Sequence, residues 1–184
     1  MAVLDTSGAP QSSTPFWNTV LRFGGFCALG LVALSLLWYL LGMNMMSIGN
    51  MVLQFACLFV ITISFSAVAI RHQRDELEGG FIAFGRAFFI GLLVTALAVF
   101  LSSFWNYVLM NFIDPGYVDT LKENFQEAWG DNIPAEAMEQ TMDKFDESAK
   151  LGTNMINGLT GGAIFGAISG LVAAAIMKRD RPTA

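Results

Sequence analysis

Along this chain the polar residues gather into a few islands, and the stretches between them are almost wholly apolar. Four uncharged runs stand out: Phe23–Leu41, Met51–Ile70, Ala87–Leu109 and Met155–Met177. A hydrocarbon core of ~30 Å needs ~20 apolar residues in helical form. Each run has about that length, and backbone groups in lipid must bond within their own segment, so each predicts a transmembrane helix. The first run ends in Trp38 and Tyr39, and the third carries Trp105 and Tyr107 near its end. Aromatic residues of this kind collect at the membrane–water interface.

A different pattern fills the interval between runs three and four. Leu121, Phe125 and Trp129 fall at i, i+4 and i+8, with Gly130 as a stop. After Pro134, the residues Met138, Met142, Phe145 and Ala149 keep a second helical period. Glu123, Glu127, Glu139, Asp143 and Asp146 occupy the opposite faces. These are two amphipathic helices, predicted as a hairpin over 113–152. Asp114-Pro115 is expected to cap and start the first of them, and Pro134 to open the second. By the same logic Thr14-Pro15 starts helix one ahead of its apolar core. Residues 1–15 read as a disordered cytoplasmic tail, and residues 16–180 as one membrane domain that includes the hairpin. The fold class is therefore all-α: a polytopic membrane protein with four transmembrane helices.

Composition agrees with the pattern. The 184 residues are 54% hydrophobic and 14% charged, against ~25% charged in soluble domains. Mean hydropathy is +0.55. Charge then orients the chain. Arg22, Arg71, Arg74, Arg86, Lys178, Arg179 and Arg181 flank one set of helix ends. On the other side, the connection GMNMMSIGN has no basic residue, and the hairpin segment sets Lys122, Lys144 and Lys150 among ten acids. The positive-inside rule then makes both termini and the 71–86 loop cytoplasmic and the acidic hairpin extracytoplasmic.

The fourth run carries an unusual series. Gly158, Gly162, Gly166 and Gly170 recur at every fourth position, and Ala174 continues them. Small-xxx-small spacing lets helix backbones approach closely in lipid. This predicts a helix-packing or partner groove: either a seam inside the monomer, or a surface for a second copy of the chain or another membrane protein. Ala173 is expected to lie further from the groove centre and to tolerate a bulky residue better.

Candidate chemistry is sparse. No Asp, Glu, Lys, Arg or His falls mid-span, which argues against a proton-coupled transporter. Gln54, Thr62, Thr95, Ser102, Ser103, Asn106, Asn157 and Thr160 are polar residues within spans, suited to interhelical hydrogen bonds or to a small polar cavity under the hairpin. The only histidine, His72, sits in a run that reads as a solvated turn. Met43, Met45, Met46 and Met51 cluster in a short connection, where thioethers could serve Cu(I) but an apolar loop is the simpler use. No cofactor, metal site or catalytic residue is expected, and there is no basic run to suggest nucleic acid. Cys27 and Cys57 fall at different depths and are expected to stay free thiols.

At IRHQRDELEGGFIAFGRAFFIGLLVTAL, followed by DPGY at 114–117, the chain resembles domain-of-unknown-function family 4199, small bacterial membrane proteins with four predicted spans. The shared features are the basic-acidic turn, Gly79-Gly80, the aromatic start Phe84-Gly85-Arg86-Ala87-Phe88 and the Asp-Pro pair. The resemblance implies the topology above and transfers no activity. The expected role is non-enzymatic: a scaffold or accessory subunit in the bacterial inner membrane, in contact with the lipid bilayer. The alternative is a small oligomeric transporter or channel-like protein for a small or lipid-like solute.

Overall fold

A computed structural model describes residues 14–179. Six α-helices account for most of them: α1 (Thr14–Leu40), α2 (Ile48–His72), α3 (Phe84–Val108), α4 (Tyr117–Trp129), α5 (Ala135–Ser148) and α6 (Leu151–Met177). The expected tail lies outside the described residues except for Thr14 and Pro15, which already belong to α1. The last turns of α2 and α3 widen into π-helix over Gln73–Leu77 and Leu109–Ile113. With these extensions α1, α2, α3 and α6 are all long and apolar enough to cross a membrane. Each helix outruns the uncharged stretch that announced it, because helical bonding continues into the polar margins.

The packing runs through α3, which touches each of the other three spans. Helices α1 and α6 both lie against α2 and α3 and share no substantial interface with each other. The core is built from small side chains. Cys27, Ala69, Ala87, Ala98, Ala173 and Ala174 are all fully buried, beside Ile70, Ile90 and Val94. Large apolar side chains point outward instead, among them Leu29, Leu40, Val60, Phe89, Ile164 and Ile176. This inversion suits lipid. There an apolar surface gains little from burial, and close backbone packing supplies the contacts. Cys27 and Cys57 are both free.

The two ends of the bundle differ. At the termini end, the 71–86 run is not the solvated turn its charges suggested. Gln73 and Ile82 are buried, and Ile82 pairs through its backbone with Arg179 after α6. Thr19 donates to Gln73 Oε1 (2.9 Å), and Gln73 Nε2 donates to Glu78 (3.0 Å). Glu78 pairs with Arg86 at 2.5 Å. Arg74 donates to the carbonyl of Met177 (3.1 Å), satisfying an orphan acceptor at the end of α6. His72 lies against the Phe23 ring and pairs with Glu76 at 3.0 Å. All four spans are tied together here. Gly79 and Gly80, at φ +68° and +91°, supply the left-handed turn that folds the run back.

At the other end, α4 roofs the bundle with buried Val118 and Leu121. It starts two residues later than the Asp-Pro pair predicted. Asp114 instead forms a turn, its Oδ1 accepting from the Gly116 N–H (3.1 Å). Pro134 is the N-cap position of α5, as expected at a helix start. Phe125 and Phe145 meet edge-to-face, and Lys122 bridges to Asp146 across the two helices at 2.5 Å.

Candidate functional site

Three features could carry a function: the glycine face of α6, a cavity beneath α4, and the acidic α4–α5 hairpin. Each is built by residues the chain spaces at helical intervals.

Gly158, Gly162, Gly166, Gly170 and Ala174 are all buried, and α3 lies directly on the four glycines. A methyl group added at Gly162 would sit 2.9 Å from the Ala96 carbonyl oxygen, and one at Gly166 2.7 Å from that of Leu92. At Gly170 it would meet the Leu92 nitrogen at 2.7 Å, and at Gly158 it would collide with Ser103. The receiving helix has its own small residues. A methyl at Gly91 would lie 2.7 Å from the Gly170 Cα, so the two backbones touch at that crossing. Elsewhere along the seam α3 presents the backbone of Leu92 and Ala96 to Gly166 and Gly162. Ala173 is as buried as Ala174. It is no mild position, because near its end α6 is enclosed on two sides.

Beside this crossing lies a layer of buried hydroxyls. Thr62 and Ser169 are hydrogen-bonded at 2.9 Å, and Ser66 reaches Thr95 and the Gly91 carbonyl, both at 3.2 Å. All four side chains are fully buried. Ser66 and Ser169 escaped notice in the sequence, although Thr62 and Ser66 share a helix face at i, i+4. Every hydroxyl has a partner, so the layer ties α2, α3 and α6 together and offers nothing to a substrate.

The cavity occupies the hairpin end between α1, α2 and α3, with a volume of about 380 Å³. Its origin is legible in α2. The buried residues of that helix, Thr62, Ser66, Ala69 and Ile70, all lie in its second half. The first half stands away from the bundle and leaves room. Leu31, Leu34, Trp38, Leu58 and Val99 form apolar walls, Met45, Met46, Met51 and Met110 line it, and Tyr117 and Leu121 of α4 close over it. Its polar groups are Ser35, Gln54, Ser102 and Asn106, and no charged residue lines it. Ser35 donates to Asn106 Oδ1 (3.4 Å), and Gln54 Nε2 contacts the Met45 sulfur at 3.7 Å. Tyr117 donates to the same sulfur. Burial, then the nearby Asp114 charge, push the Tyr117 phenol up, so it stays a donor. Trp38, expected at the interface, turns inward and is buried, with no partner for its Nε1 among the described residues.

The hairpin presents the charge. Helix α5 has no buried residue. Glu136, Glu139 and Asp143 are exposed on it, and none has an ion pair among the described residues. No group of His, Cys, Asp and Glu that could hold a metal ion occurs among the described residues.

A family model described as "Protein of unknown function (DUF4199)" matches residues 22–179. No curated protein and no solved structure matches the chain.

Proposed function

The chain belongs to the DUF4199 family, and from that footing we propose that it is a non-enzymatic accessory subunit of a bacterial inner-membrane assembly. It holds another membrane protein through its acidic hairpin, which faces the extracytoplasmic side. The observation that carries this reading is the outer face of α5, which bears three exposed acids with no ion pair among the described residues. Such a face repels anionic lipid headgroups and fits a basic extramembrane segment of a partner. The glycine groove, the other candidate surface, is occupied by α3.

The second reading, a small oligomeric transporter, draws on the cavity. A solute leaving it toward the termini end would meet buried Cys27, Ala28, Val94 and Ala98, and then the Thr19–Gln73–Glu78–Arg86 network. The accessory reading needs no such opening.

Photocrosslinking from position 140 tests the proposal, with the benzophenone amino acid replacing Gln140 on the exposed side of α5 and the protein at native expression level. A discrete adduct with one membrane protein is expected. The triple change Glu136→Lys, Glu139→Lys and Asp143→Lys should abolish it while leaving thermal stability within ~0.5 kcal/mol, as for surface substitutions generally. Absence of any protein adduct, or an adduct indifferent to charge reversal, would contradict the proposal.

A further inference from the structure

We infer that the hairpin-end cavity is a binding site for a neutral, single-chain amphiphile from the bilayer. Its apolar chain lies between α1, α2 and α3, and its uncharged amide or hydroxyl head meets Gln54 and Asn106. This site is separate from the hairpin surface and does not rest on the accessory reading.

Size and depth come first. The volume, about 380 Å³, falls in the lower part of the ~300–1,000 Å³ range of small-molecule sites. Leu31 and Leu58 mark its floor. Nine residues separate Leu31 from the end of α1 at Leu40, which is roughly 14 Å of helix. The site thus reaches from the membrane margin about halfway through a ~30 Å core. Gln54 lies six residues inside the start of α2 at Ile48, roughly 9 Å down, so a slender molecule with its head below the margin matches that depth, whereas a polar solute would waste the apolar walls.

Chemistry then narrows the class. With no charged lining residue, a carboxylate or phosphate would lose its hydration without a counter-charge, a cost that disfavours anionic lipids. A fully apolar molecule would leave the polar groups that line the cavity unmet, among them the buried Trp38 Nε1. Asn106 accepts from Ser35 on its oxygen, and no partner for its Nδ2 occurs among the described residues. Gln54 spends its Nε2 on a weak contact to sulfur, and its Oε1 likewise has no partner among them. The Asn106 Nδ2 and Trp38 Nε1 donors and the Gln54 Oε1 acceptor therefore stand available to a neutral head that can both accept and donate. The four methionines are unbranched and can follow the contour of a flexible chain.

The test uses the full chain in phosphatidylcholine vesicles and two photoactivatable probes with the same diazirine-bearing chain: a monoacylglycerol and the corresponding fatty acid. The monoacylglycerol probe should label peptides containing Met45 and Met110 saturably and be displaced by unlabelled monoacylglycerol. The fatty acid should label them about tenfold less, a modest difference in affinity terms. Asn106→Leu and Gln54→Leu should each cut labelling severalfold, and Ser102→Phe, which fills the cavity, should abolish it. If the Asn106 variant fails to fold, Ser102→Phe and competition on the unaltered protein still decide. Unsaturable labelling spread over lipid-facing residues such as Leu40 and Val52, equal labelling by the fatty acid, or full labelling of Ser102→Phe would each overturn the inference.

Discussion

Gly166→Ala should destabilise the bundle by about 1–3 kcal/mol, the usual cost of forcing a methyl into a packed interior. In an exposed helix the same change would favour the helix by about 1 kcal/mol, so the sign itself is diagnostic. The added carbon would stand 2.7 Å from the Leu92 carbonyl oxygen. Backbone cannot swing aside as a side chain can, so α6 must move away from α3 along the seam. Gly166→Leu should go further and abolish the folded monomer in mild detergent. The matched control is Gly161, on the same helix, where nothing lies within 4 Å of an added methyl. Gly161→Ala should be neutral or slightly stabilising. Thermal unfolding followed by size-exclusion retention separates the two. A Gly166→Ala protein that melts with the unaltered chain would mean that the two helices are not in backbone contact.

Gln73→Leu should cost about 2 kcal/mol, because it removes one buried and one half-buried hydrogen bond, the second of them to a carboxylate. Gln73 accepts from Thr19 and donates to Glu78, so one side chain joins α1 to the return loop. Arg86→Ala, although it breaks the ion pair to the same Glu78, should cost under ~1 kcal/mol. The Arg86 side chain is 44% exposed, and water already screens the pair. Melting curves of the two variants in one detergent give the comparison. Equal losses would show that the network is held by its charges rather than by the buried amide.

The four spans were legible because apolar length alone announces a membrane helix, and the amphipathic period of 121–149 announced the hairpin just as directly. Individual side chains were less so. The charges of Arg71, Arg74, Asp75 and Glu76 pointed to solvent, yet the 71–86 run buries Gln73 and Ile82. Periodicity over so short and irregular a stretch could not show the return. Trp38 sits where an interfacial anchor belongs, yet it is buried in the wall of the cavity. The glycine series was plain in α6, but its counterpart in α3 was masked by bulky neighbours: Gly91 stands between Ile90 and Leu92. The cavity was foreshadowed by Gln54, Ser102 and Asn106. Its walls depend on how α2 leaves the bundle, a tertiary property that no local pattern encodes. The basic-acidic turn, Gly79-Gly80 and Arg86 build the network at the termini end.

Sidedness is the point on which the proposed role stands or falls, and one labelling experiment reads it. In a Cys27→Ala, Cys57→Ala background, single cysteines at Asn132 in the hairpin and at the exposed Glu76 in the 71–86 run are exposed in turn to a membrane-impermeant maleimide on spheroplasts. Asn132→Cys should be labelled at once, and Glu76→Cys only after the membrane is permeabilised. Labelling of Glu76→Cys on sealed spheroplasts, with Asn132→Cys protected, would invert the molecule and remove the acidic hairpin from the extracytoplasmic side.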